Sequence, residues 1–157
     1  MAEGMKITRI LLVEDNPDDI RITERALKEA KIVNKLLIVR DGQEALDFLY
    51  HKDKYQDIAT SPKPGLIILD INLPKVNGLE VLKQIKQDPD LKRIPTVVLT
   101  VSRRDEDIIR GYNYGCNSFI QKPVEFEKFV EAVKLIGLYW GLLNVDSPNN
   151  IADPEVS

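Results

Sequence analysis

The sequence predicts an α/β domain in which a parallel sheet of five strands is doubly wound, with helices on both faces. Three observations predict it. Apolar, branched runs beginning near Ile7, Lys35, Leu66, Arg93 and Asn117 each alternate with a stretch of helical character, the pattern of repeated βα units. The clearest of these runs are nearly unbroken rather than alternating, as expected of strands buried on both faces. They also end in residues that can do chemistry: Glu14 and Asp15, Asp70, Thr100 and Lys122. In open parallel sheets ligands bind beyond the carboxyl ends of the strands, so these residues gather around one crevice.

With 157 residues the chain suits one domain, which would bury about two-thirds of the surface its unfolded form exposes. A leader over 1–6, a domain over 7–143 and a polar, proline-bearing tail over 144–157, expected to be disordered, divide it. Twenty-two basic and 25 acidic residues, net charge −3, are not the footprint of a dedicated nucleic-acid binder. One cysteine, Cys116, excludes an intrachain disulfide framework and fits a reducing compartment. No signal peptide pattern and no apolar run long enough for a bilayer is present, so a soluble cytoplasmic protein is expected, with no membrane contact.

The first strand, Ile7 to Val13, stops at the paired acids Glu14 and Asp15. Asn16 can cap a helix whose first turn holds Pro17, Asp18 and Asp19, because proline fits the first helical position and acids complement the dipole. Ile20, Thr23, Leu27 and Ala30 form its inner face, and Arg21, Glu24, Arg25, Lys28 and Glu29 its solvated one. Lys35 to Val39 is the second strand. Asp41 and Gly42 turn it into a helix carrying Ala45, Leu46, Phe48 and Leu49, which ends at His51. His51 is the only histidine and has no ligand neighbour, which argues against a metal or phosphohistidine role. The polar stretch Lys52 to Gly65 reads as a surface loop, with a partner-docking loop as the alternative.

Leu66 to Asp70 is the third strand. Taken alone, Asp70 reads first as a turn cap, because aspartate is common in turns, and only second as a reacting group. Leu79, Leu82 and Ile85 then give a helix its buried stripe, and Asp88 with Pro89 stops it. A strand over Arg93 to Thr100, a stretch over Arg103 to Asp107 leading into a short helix that ends near Tyr112 to Gly115, and a strand over Asn117 to Gln121 follow, the last stopped by Lys122 and Pro123. The final helix runs from Glu125 to about Leu143. Phe126, Phe129, Val130, Val133, Ile136 and Trp140 suit packing on the sheet, which leaves Leu135, Leu138, Tyr139 and Leu142 for a dimer or partner surface, or for a helix end folded back on its own domain.

In order and spacing, LLVED at 11–15, LIILD at 66–70 followed by NLP and NG, VVLT at 97–100 and the final KP at 122–123 resemble the receiver domain of two-component response regulators. The resemblance covers about Ile7 to Leu143. It implies a flavodoxin-like (βα)5 fold, strand order 2-1-3-4-5, and a phosphorylation switch that catalyses only its own phosphoryl transfer and hydrolysis. Asp70 would be the phosphoacceptor. Mg²⁺ would be held by Asp15, Asp70 and the Asn72 carbonyl, with Glu14 acting through water. Lys122 would offset charge on the phosphoryl oxygens, and the Thr100 hydroxyl would bond one of them only after transfer. Phe119 would answer Thr100 by packing inward or outward, although it reads equally as strand core. Asn72 and Ser102 would tune hydrolysis, and Val101, bulkier than usual there, would narrow access.

No DNA-binding or enzymatic domain is expected after the receiver, so the expected output is protein contact rather than DNA binding. The expected partners are a sensor histidine kinase and a second copy through the last helix. The long loop and the GLYWGLLN ending further resemble single-domain regulators that partner phytochrome-type kinases. Competing readings are weaker. An aspartyl-phosphate phosphatase needs a second carboxylate two residues beyond Asp70, where Asn72 stands. A flavin or nucleotide carrier needs a glycine-rich phosphate loop after the first strand, where acids stand instead. A mere scaffold would not need the full set of acids, hydroxyl and lysine.

Overall fold

The computed structural model describes residues 8–31, 34–59, 61–73, 75–100, 104, 118–122 and 125–140. Strands β1 (Thr8–Val13), β2 (Asn34–Val39), β3 (Leu66–Asp70), β4 (Thr96–Thr100) and β5 (Ser118–Gln121) form one sheet in the order β2-β1-β3-β4-β5, every pair parallel. Helices α1 (Pro17–Glu29), α2 (Gly42–Leu49), α3 (Gly78–Gln87) and α4 (Phe126–Trp140) flank it. The expected fold class and strand order are both observed. Of the stretch leading into the helix expected to end near Tyr112 to Gly115, only Arg104 is described, in helical conformation; the rest, together with Cys116, the leader and the tail, lies outside the described residues.

Period-two geometry divides the core. Ile10, Leu12, Leu66, Ile68, Val97 and Leu99 face α1 and α4, where Leu27, Phe129 and Val133 meet them. Leu11, Val13, Ile67, Leu69 and Val98 face α2 and α3, against Leu46, Phe48, Val81, Leu82 and Ile85. Strand β3 is buried along its whole length, which is why it reads as an uninterrupted apolar run. Each fully buried leucine or isoleucine contributes about 1.5–3 kcal/mol.

Four expectations need correction. β4 begins at Thr96, not Arg93: Asp88 accepts from the amides of Asp90 and Leu91, winding Leu91–Arg93 into a 3-10 turn, and Pro95 has no amide for a ladder. The buried stripe of α3 is Val81, Leu82 and Ile85, with Leu79 only half-buried. The Arg25 guanidinium lies 4.6 Å from the centroid of the Phe126 ring, tying α1 to α4 instead of merely facing solvent. The stretch after α2 is more than a plain loop. His51 takes a left-handed φ of 57°, the Lys52 amide reaches back to the Asp47 carbonyl, and His51 Nε2 lies 2.8 Å from the carbonyl of buried Ser61. Tyr55 meets Phe48 edge-on and donates its hydroxyl to Glu44 at 2.5 Å.

Candidate functional site

Chain order and sheet order part company at β1: β2 lies on one side of it and β3 on the other, opening a crevice beyond their carboxyl ends. Register decides what enters it. Val13 is level with Leu69, so the next residues, Glu14 and Asp70, emerge side by side. Asp70 is level with Leu99, and Thr100 with Gln121, so the ends of β4 and β5 deliver Thr100 and Lys122 to the same edge.

Glu14, Asp15 and Asp70 each offer a carboxylate oxygen, and these oxygens lie within 4.8 Å of one another. Glu14 is fully buried and Asp70 1% exposed, whereas Asp15 is exposed. Glu14 is pinned by its own amide, which donates to the Val39 carbonyl, and by the Asn16 amide, which donates to its Oε2 at 3.1 Å. Asp70 is held at both oxygens. The Asn72 amide donates to Oδ1 at 3.0 Å, and the Lys122 ammonium donates to Oδ2 at 2.9 Å. Lys122 also reaches Glu14 Oε2 at 3.2 Å and Asp19 Oδ2 at 3.0 Å.

Charge is crowded here. Burial, then the neighbouring charge of Asp70, raises the Glu14 pKa to about 7, against the smaller pull of Lys122 and the Asn16 amide. Burial disfavours the Lys122 ammonium too, but its hydrogen bonds to Asp70 and Asp19 and the charges of Asp70 and Glu14 outweigh that, so it stays well above its ordinary value. Among the described residues Glu14 Oε1 is buried with no hydrogen-bond partner. An orphaned carboxylate oxygen within an all-oxygen donor set fits a hard divalent cation, and Glu14, Asp15 and Asp70 could hold one.

The structure thus brings together Glu14, Asp15, Asp70, Asn72 and Lys122. The backbone of Thr100 ends β4 beside them, while its side chain, like Val101 and Ser102 altogether, lies outside the described residues. Phe119 is half-buried on β5 and packs on the cluster that contains Leu69 and Val98. Leu135 is 59% exposed on α4. Leu138 and Tyr139 fall in α4 with side chains not described, and Leu142 lies beyond the described residues.

Asp19 stands in the first turn of α1, where it complements the helix dipole as the sequence predicts, but it does more: it is 8% exposed and paired with Lys122. Its signal was its place on the inner stripe of α1, four residues before buried Thr23, whereas Asp18 on the outer face is exposed.

Comparison with known proteins agrees with this geometry. The profile of the response regulator receiver domain matches residues 10–134. Response regulator Rcp1 of Synechocystis sp. is 44% identical over 131 residues, 83% of this chain and 87% of Rcp1. The crystal structure of the Mn²⁺-bound form of Rcp1 superposes with a TM-score of 0.72 at 43% identity, covering 90% of this chain and 99% of that one. The bacteriophytochrome response regulator RtBRR gives a TM-score of 0.77 at 40% identity over 93% of this chain and 87% of its own. The phosphorylated cyanobacterial phytochrome response regulator RcpA gives 0.72 at 40% identity over 91% and 99%. Fold, site and relatives converge: the chain belongs to the response regulator receiver domain family.

Proposed function

We propose that this chain is a phosphorylation-dependent switch of a two-component phosphorelay, acting through a receiver domain that spans 7–143. The observation that carries the reading is Asp70: a buried carboxylate at the β1/β3 crevice, gripped at one oxygen by a backbone amide and at the other by an ammonium. A carboxylate so held is an oriented nucleophile. Its oxygen forms a bond to phosphorus as the N–P bond of a kinase phosphohistidine breaks, and the electron pair returns to the imidazole. Lys122 offsets charge on the phosphoryl oxygens, and the Thr100 hydroxyl bonds one of them once transfer is complete.

Mg²⁺ is the ion we assign to Glu14, Asp15, Asp70 and the Asn72 carbonyl; it supplies charge neutralisation for the transferring oxygens. Support comes from the orphaned Glu14 oxygen and from the metal-bound structure of Rcp1. Phe119 would carry the state of Thr100 into the packing between β4 and β5. Asn72, Val101 and Ser102 would set the acyl-phosphate lifetime by controlling water and donor access, the chain dephosphorylating itself. The similarity to phytochrome response regulators favours a phytochrome-type sensor histidine kinase as donor, in the cytoplasm. Among the described residues no helix is long and apolar enough to cross a membrane. The output is protein contact, with Leu135, Leu138, Tyr139 and Leu142 as the homodimer surface.

Intact mass after incubation with acetyl phosphate, with and without Mg²⁺, tests the reading, with oligomer size followed on the same samples. One Mg²⁺-dependent phosphoryl group is expected, together with a shift in size. Addition without a size change would sink the dimer output and move it to a different partner; no addition, even from a kinase, would sink the switch.

Metal binding is expected to depend on pH. Folding raises the Glu14 pKa from 4.5 to about 7, so between those pH values the folded metal-free protein holds a proton that the unfolded chain has lost. That contribution to stability is fully present below about pH 4.5 and is lost as pH rises through about 7. The proton must leave for the ion to take Glu14, directly or through water, so Mg²⁺ affinity should rise about tenfold between pH 6 and 8. Calorimetric titration at several pH values measures this, and a flat affinity would contradict it.

A further inference from the structure

The Lys122 ammonium is ion-paired with three carboxylates: Asp70 at 2.9 Å, Asp19 at 3.0 Å and Glu14 at 3.2 Å. Glu14 and Asp70 belong to the acidic group that could hold an ion, and Asp19 does not. An ammonium donating into Glu14 and Asp70 competes with a divalent cation for the same oxygens, and two cations repel strongly in a buried site. An ammonium displaced there without another partner would be stranded at large cost.

We propose that Asp19 is the partner to which Lys122 retreats when a divalent cation takes the oxygens of Glu14 and Asp70. Asp19 is then a positioning residue for the lysine and not a metal ligand. The local structure suits that role. The Asp19 amide donates to Asn16 Oδ1 at 3.2 Å, its carbonyl accepts from the Thr23 hydroxyl at 2.7 Å, and Thr23, Ala26 and Leu27 anchor the same face of α1 in the core. The carboxylate therefore rides on a fixed helix start. Lys122 carries its ammonium on a flexible four-carbon stem, so the cation is the group that moves. Asp19 also keeps the ammonium in reach of Asp70 after it has left the acidic group. The inference needs the metal centre but no phosphoryl transfer, so it can fail while the phosphorylation reading stands.

A double-mutant cycle with Mg²⁺ as the only added ligand tests it, by calorimetry on the full chain, the Asp19→Asn and Lys122→Met variants, and the double variant. Asparagine keeps the size and one acceptor oxygen, removes the charge and turns the other oxygen into an amide nitrogen. In the otherwise natural chain Asp19→Asn should weaken Mg²⁺ binding about five- to tenfold, as loss of a charge-assisted partner implies. In the Lys122→Met background, with no ammonium to hold, the same change should cost less than about twofold. Plain attraction between Asp19 and the ion predicts the reverse, because Lys122 neutralises Asp19 until it is removed. An equal or larger loss in the Lys122→Met background, or no loss in the natural one, overturns the inference; no Mg²⁺ binding by the unaltered chain overturns it together with the metal centre. Melting curves check each fold, and Lys122→Gln replaces Lys122→Met in the cycle if the latter does not fold.

Discussion

Asp70→Asn is expected to reduce phosphoryl uptake from acetyl phosphate or a kinase to less than about one per cent of the natural rate, because an amide oxygen is a poor nucleophile and the acyl phosphate cannot form on it. The same substitution should leave the fold intact and make the metal-free protein more stable, which distinguishes lost chemistry from lost structure. Asp70 and Glu14 are buried neighbours, and the charge of Asp70 is the second cause, after burial, of the raised Glu14 pKa. With that charge gone the Glu14 pKa falls back towards 4.5, and less stability is lost as pH rises through about 7. Lys122 keeps Asp19 and Glu14 as partners. In chelator at pH 8 the melting temperature should therefore rise by about 2–4 °C, as about 1 kcal/mol of relieved repulsion would give in a domain of this size. In Mg²⁺ the gain should shrink or reverse, since the ion loses a charged ligand. Labelling at the natural rate would place the acceptor elsewhere, and a lower melting temperature in chelator would mean that the Asp70–Lys122 pair stabilises more than the carboxylate repulsion costs.

The sheet and most of the site were legible in the sequence because parallel strands buried on both faces write themselves as apolar runs, and each run here stops at a polar residue. Glu14, Asp15, Asp70 and Lys122 could be placed on one edge from strand order alone, and the register that sets Glu14 beside Asp70 adds only their closeness. What stayed hidden depends on distant partners. Asp19 carries every local mark of a helix-start acid, and its pairing with Lys122 arises only when the start of α1 folds over the end of β5. Arg25 reads as a solvated charge until Phe126 arrives from the last helix. The start of β4 differs for a local reason: apolar Ile94 directly follows a turn that the Asp88 side chain winds, and periodicity cannot separate an apolar residue at a turn's end from the first residue of a strand. The stretch after α2 looked unstructured because its anchors, Tyr55 on Phe48 and His51 on Ser61, are single residues in a polar background.

Gly78→Ala is the substitution expected to damage fold and chemistry together. Gly78 opens α3 and lies against the end of β3 backbone to backbone: its amide donates to the Ile71 carbonyl at 3.0 Å. An added Cβ would meet the Asp70 carbonyl oxygen at 2.5 Å, Ile71 Cα at 2.5 Å and the Ile71 carbonyl oxygen at 2.6 Å. Alanine improves helix propensity by about 1 kcal/mol, but a clash with three main-chain atoms cannot be relieved by a rotamer change. Either α3 or the turn after Asp70 must retreat. We expect a net loss of about 1–3 kcal/mol, read as a melting temperature lower by several degrees. If the turn yields, the Asn72 amide moves off Asp70 Oδ1, now 3.0 Å away, and the nucleophile loses one of its two holds. Misplacement by about 1 Å can cost about a hundredfold in rate, and phosphoryl uptake should fall by that order while Mg²⁺ still binds through the remaining carboxylates. The two retreats are separable by measuring stability and uptake on the same protein. Lower stability with natural uptake would show that α3 moves and the turn is rigid; natural values of both would mean that the contact between the start of α3 and the end of β3 has no bearing on the position of Asp70.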